Sequence, residues 1–176
     1  IFFGLFLSVF CFIYVIPFNR SKKNISNHSR IKIFIVAFCW ASVTVLFPLT
    51  NETDIDFLNS FLLFIQRFVF VIAYTIPFEI RDLKYDSLNL KTMPQVFGIK
   101  KTKKIALFLL LLFTLINLWL SPIILNYLIS DLLIALIAGY LIWISRKNQT
   151  KYFASFWVES IPLIWLIIIL LLKSIN

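Results

Sequence analysis

Histidine is almost missing from this sequence: His28 is the only one. That excludes a histidine-built metal cluster within the chain and argues against a Ser-His-Asp triad. Glycine is nearly as scarce, with three residues, so no glycine-rich loop is available to cradle a nucleotide phosphate. The two cysteines, Cys11 and Cys39, lie in apolar runs without metal-like spacing. They read as inert core thiols, and no disulfide framework is implied. Charge is thin as well, at 14% of residues, against about 25% in soluble domains.

Apolar side chains fill the space those absences leave. They make up 61% of the chain, and they come in long unbroken runs. A helix needs about 20 mostly apolar residues to span a bilayer. Six runs approach that length, at about 2–17, 33–49, 57–78, 105–120, 123–145 and 153–172. The runs are apolar all round, without the alternation of a membrane β-barrel. The expected fold is therefore an all-α, polytopic transmembrane bundle, forming a single membrane domain over 1–176. The chain starts at Ile1 without a signal-peptide pattern, and the expectation is a fragment of a longer protein lacking its N-terminal helices.

Charge sorts between the connections. Fifteen of the seventeen basic residues fall in segments 18–32, 79–104 and 146–151. The intervening 50–56 segment holds Glu52, Asp54 and Asp56 and no base, and the turn at Ser121-Pro122 is uncharged. The positive-inside rule places the three basic segments in the cytoplasm. The net charge of +9 follows from that bias, so nucleic acid is not an expected partner. Trp119, Trp143 and Trp157 lie near span ends, as interfacial anchors do. Arg67 and Asp131 lie within spans, where each is costly unless paired. They are expected to pair with each other or with helices outside this sequence. Glu159, in the last span, reads either as a residue facing an internal cavity or as a bond to a neighbouring helix.

One segment is dense in mixed charge. Residues 78–104 hold three of the eight acidic side chains and seven of the seventeen basic ones. Glu79, Asp82 and Asp86 are spaced by three and four residues. On a helix that spacing sets them on one face, about 5–6 Å apart. Carboxylates so close repel unless a cation lies among them, and Mg²⁺ takes one or two carboxylates plus substrate phosphates. Arg81 and the following lysines would then contact phosphate oxygens. A solvated loop of harmlessly paired charges is the plainer alternative.

The stretch "EIRDLKYDSLNLKTMPQVFGIKK" resembles the second Asp-rich motif of the UbiA-type intramembrane prenyltransferases. Glu79, Arg81, Asp82 and Asp86, then Lys91-Thr92-Met93-Pro94, then Gly98 follow that family's order, with Glu79 where Asp is usual. Upstream, "YVIPFNRSK" (Tyr14, Pro17, Arg20, Lys22) is similar to a second family pattern at a helix end. The resemblance implies a nine-helix bundle, of which this chain would supply helices four to nine. Its cytoplasmic motif loop would be 79–104. The resemblance implies Mg²⁺-dependent transfer of a polyprenyl group from its diphosphate to a small, often aromatic, acceptor in the bacterial inner membrane. Glu79, Asp82 and Asp86 would hold the metal. Arg20, Lys22, Arg81 and Lys91 would contact the diphosphate. The family's first Asp-rich motif is absent from this chain, so the fragment alone is expected to be inactive. A non-catalytic relative that keeps the fold and lipid or isoprenoid binding is the alternative, and an unrelated transporter a more distant one.

Overall fold

The computed structural model describes residues 29–50, 55–86, 90–122, 124–150 and 152–175. The first expected span, Arg20, Lys22, Glu52 and Asp54 lie outside them. Among the described residues the fold is all-helical, with no strand. Helix α1 covers Ser29–Ala41 and continues through a π-helical segment, Ser42–Leu46, to a last turn at Phe47–Leu49. Pro48 cannot donate to the carbonyl of Thr44, so regular bonding fails just there. Within the segment the Thr44 hydroxyl donates to the Trp40 carbonyl, at 2.8 Å. Helix α2 is Phe57–Asp82, α3 the short Met93–Phe97, α4 Ile99–Ile116 and α5 Leu125–Ile144. A π-helical segment, Phe153–Val158, leads into α6, Ile161–Ile175.

Helix α2 is the axis of the bundle. It packs against α1, α4, α5 and the Phe153–Val158 segment. Its 26 residues run about 39 Å. Asp56 caps its start by accepting from the Asn59 N–H at 3.1 Å, which satisfies one of the donors a helix N-terminus leaves over. Ile76, Ile80, Phe113, Ile134 and Ile142 are fully buried around it. The outer surface is also apolar: Leu136, Leu163 and Leu170 are more than half exposed. A bundle that is greasy inside and out has hydrocarbon as its solvent.

Among the described residues four helical stretches are long and apolar enough to cross a membrane: Lys32–Leu49, Phe57–Asp82, Leu125–Ile144 and Phe153–Ser174. The expected span at 105–120 differs. Its helix begins earlier, at Ile99, and ends at Ile116. Lys100, Lys101, Lys103 and Lys104 therefore occupy its first turns, and the apolar part is a short remainder. Lysine is a good helix former and its stem lies comfortably along apolar surface, so the charged run joins the helix. The segment read as a motif loop, 79–104, is accordingly mostly helix.

Polar ties fix the two ends of the bundle. At one end the Asn59 side chain brackets the backbone of Ser121, giving to its carbonyl and accepting from its N–H at 3.1 Å. Asn126 of α5 donates to the Leu172 carbonyl of α6 at 3.2 Å. At the other end Lys103 Nζ donates to the carbonyls of Trp143 and Ser145, at 2.7 and 2.6 Å. A cation there suits the partial negative charge at the C-terminus of α5. Burial, and then the nearby Arg146 charge, lower the Lys103 pKa from its ordinary value. Gln149 donates to the Pro77 carbonyl at 3.0 Å, drawing the 145–150 connection onto α2.

A further tie lies within the bundle. Asp131 Oδ2 accepts from Gln66 Nε2 and Asn117 Nδ2, both at 3.0 Å, and Oδ1 accepts from Trp165 Nε1 at 2.9 Å. Ser130 adds a longer contact at 3.4 Å. One carboxylate thus holds α2, α5, α6 and the end of α4. Of the two pairings expected for Arg67 and Asp131, the direct ion pair with each other does not form. The Arg67 guanidinium lies instead over the Trp165 ring, 3.9 Å from its centre. Three amide or indole N–H groups already fill the Asp131 oxygens, so the arginine is displaced to the face of the ring that bonds it.

Candidate functional site

Glu79 and Asp82 project from the last turns of α2, and Asp86 follows on the turn that ends the helix. The N–H groups of Tyr85 and Asp86 both bond the Asp82 carbonyl, at 2.8 and 2.9 Å, so the chain stays coiled as far as Asp86. That coiling keeps the three carboxylates on one side. Together with Arg81 they line a cavity of about 290 Å³, closed from α1 by Lys32. Phe78 supplies part of its apolar wall.

The carboxylates are not equivalent. Glu79 is buried and accepts from the Met93 N–H at 3.2 Å, which ties α2 to the start of α3. Asp82 Oδ1 accepts from Arg81 Nε at 2.7 Å, and Arg81 Nη1 reaches Ser155 Oγ at 3.2 Å. Asp86 titrates above the ordinary aspartate range. Partial burial raises it most, the Asp82 charge raises it further, and Lys32 pulls it back.

Local chemistry explains how the connection after α2 is held. Lys91 has φ +52°, in the left-handed region, and this turns the chain into the Thr92 cap. Thr92 Oγ1 accepts from the Gln95 N–H at 3.3 Å, and Gln95 Oε1 accepts from the Thr92 N–H at 3.2 Å. This reciprocal capping box starts α3. Gly98, at φ +78° and ψ 156°, then separates α3 from α4. Backbone of that kind is nearly confined to glycine, although a Cβ there would meet no atom within 4 Å.

Of the residues expected at the site, Glu79, Arg81, Asp82 and Asp86 come together. Lys91 is exposed and does not line the cavity. Glu159 is exposed at the break before α6 and is near enough to Arg81 to interact through its charge, but it does not line the cavity either. Lys32 joins the site although the sequence marks it only as one of several bases in a connection; no spacing signal identifies it.

Oxygen donors of this type suit a hard divalent cation, and Asp82 with Asp86 provides the one or two carboxylates Mg²⁺ ordinarily takes. Among the described residues no group of three acidic, histidine or cysteine side chains has the geometry to hold a metal. No family model, no curated protein and no solved structure matches this chain.

Proposed function

We propose that the chain is part of a UbiA-type intramembrane prenyltransferase, which moves a polyprenyl group from its diphosphate to a small acceptor. The observation that carries this reading is the cavity where Glu79, Arg81, Asp82 and Asp86 meet Lys32 at the basic end of the bundle. In it, acidic and basic side chains face one space at the edge of an apolar helical bundle, as a substrate with a charged head and a greasy tail requires. Asp82 and Asp86 would hold Mg²⁺, which supplies positive charge to the leaving diphosphate. Arg81 and Lys32 would donate to its oxygens as negative charge builds there. Glu79 would position the α3 start through its bond to the Met93 N–H. The isoprenoid tail would lie along the helices, with each buried CH₂ favourable by about 0.8 kcal/mol. The basic end would face the cytoplasm of a bacterial cell, with the protein in its plasma membrane.

One observation favours a second reading, a non-catalytic relative that keeps the fold. The Arg81 guanidinium is engaged by Asp82 at 2.7 Å and by Ser155, and Glu79 by backbone, which is how a purely structural cluster is satisfied. The test uses the full-length protein in detergent, with Mg²⁺ and inorganic pyrophosphate as probes. The enzyme reading expects a pyrophosphate-dependent rise in melting temperature that needs Mg²⁺ and is lost in Asp82→Ala. A response unchanged in Asp82→Ala, or none in the wild type, removes the motif from the mechanism.

A further inference from the structure

Arg67 carries five N–H donors within an apolar part of the bundle, and its stacking on Trp165 uses none of them. Nη1 is buried and has no hydrogen-bond partner among the described residues. Unspent donors are costly where no water can reach them. Charge is not what Arg67 lacks. Asp131 lies one indole away, bonded to Trp165 at 2.9 Å, and the two side chains together are neutral. A further anion would leave an uncompensated charge in a low-dielectric site. What suits Arg67 is an acceptor without charge.

There is space for one. A cavity of about 280 Å³ lies beside the guanidinium between α1, α2 and α6, walled by Trp40, Thr44, Tyr74, Trp165 and Leu166. Trp40 and Leu166 are 49% and 53% exposed on the outer surface, so the cavity opens sideways and not through an end of the bundle. Arg67 is ten residues into α2, about 15 Å from its start, and thus at hydrocarbon depth. Arg67 also borders a second cavity, of about 460 Å³, but Asp131 lines that one. A carbonyl oxygen entering there would face a carboxylate.

We propose that the aromatic-walled cavity binds an uncharged, carbonyl-bearing apolar molecule that enters from the bilayer. Arg67 donates to the carbonyl oxygen, and the rings of Trp40, Tyr74 and Trp165 pack its body. Arg67 and Arg81 are 14 residues apart on α2, about 21 Å along its axis, so this site is separate from the carboxylate cavity and does not depend on the reading given to that cavity.

Benzophenone is a suitable probe: a neutral diaryl ketone that couples to nearby C–H bonds under ultraviolet light. The full-length protein, in an uncharged detergent, is irradiated with it and the labelled peptides are mapped. Labelling is expected to concentrate on 40–44, 71–74 and 162–169. It should fall at least about tenfold in Arg67→Met and be partly kept in Arg67→Lys, since a bond from a charged donor is stronger than one between neutral groups. Excess fluorenone should compete, whereas fluorene, which lacks the carbonyl, should not. Labelling spread evenly over the surface, or unaltered in Arg67→Met, overturns the proposal. So does equal competition by fluorene, and that comparison needs only the wild-type protein should a variant fail to fold.

Discussion

Replacing Asp131 by leucine removes the acceptor that four structural elements share. Gln66 and Asn117 each lose a bond of 3.0 Å, and Trp165 loses one of 2.9 Å. Gln66 keeps its contact with the Phe113 carbonyl at 3.2 Å, and Asn117 keeps a long one to Thr114 at 3.4 Å. The Trp165 N–H is left without an acceptor. In membrane proteins a side-chain hydrogen bond is worth about 0.6 kcal/mol on average and at most about 1.7, because the unfolded chain in lipid also finds partners. Three such bonds place the cost of Asp131→Leu at about 2–5 kcal/mol. Arg67→Met should cost less than Asp131→Leu: the variant loses a cation–π contact of about 0.5–2 kcal/mol and no hydrogen bond, and it also removes an unpaired buried donor. Unfolding in mixed micelles by an anionic detergent, followed by circular dichroism, measures both. An Asp131→Leu variant within about 0.5 kcal/mol of wild type (the size of an ordinary surface substitution), or an Arg67→Met variant that loses as much as Asp131→Leu, refutes the reasoning.

The raised Asp86 pKa carries a sign that can be checked. The folded protein holds this proton more tightly than the unfolded chain, so the Asp86 contribution to stability falls as pH rises from the ordinary aspartate range through the raised value. Asp86→Asn is therefore expected to melt higher than wild type at neutral pH, with the difference vanishing below the ordinary range; a variant less stable at neutral pH contradicts it. Orientation is checked by cysteine labelling in intact cells, with Cys11 and Cys39 first replaced by serine. Lys84→Cys should be protected from an impermeant reagent and Asp56→Cys should react; labelling of both from one side contradicts the assignment of the basic end to the cytoplasm.

Apolar runs are enough to locate the four described stretches long enough to cross a membrane, because a helix solvated by hydrocarbon needs no periodic pattern that sequence could obscure. The bases mark the helix ends at 79–104 but not where helix begins: Lys100 to Lys104 look like a solvated loop until they are seen coiled along α4. Spacing of three and four residues correctly set Glu79, Asp82 and Asp86 around one cavity. It could not show that Glu79 would find the Met93 N–H fourteen residues away, since backbone donors have no residue identity. Arg67 and Asp131 stood out as charges in apolar runs, and their partners did not. Gln66, Asn117 and Trp165 come from three different helical regions, and nothing local in "FIQRF", "LINLW" or "LIWLI" indicates that they face one carboxylate. Pro48 marks the π-helical turn at Ser42–Leu46, but the one at Phe153–Val158 is silent, since one extra residue per turn leaves no mark in a mostly apolar run.

Trp165 also divides the chain's optical properties in two. Trp40, Trp119, Trp143 and Trp157 are each about half exposed or more, whereas Trp165 is 9% exposed, with a cation on its face and a carboxylate at its N–H. Quenchers carried on lipid tails or dissolved in water reach the first four from outside. The emission that survives them comes from a single indole held between that cation and that carboxylate, and it monitors the inside of the bundle without any label being introduced.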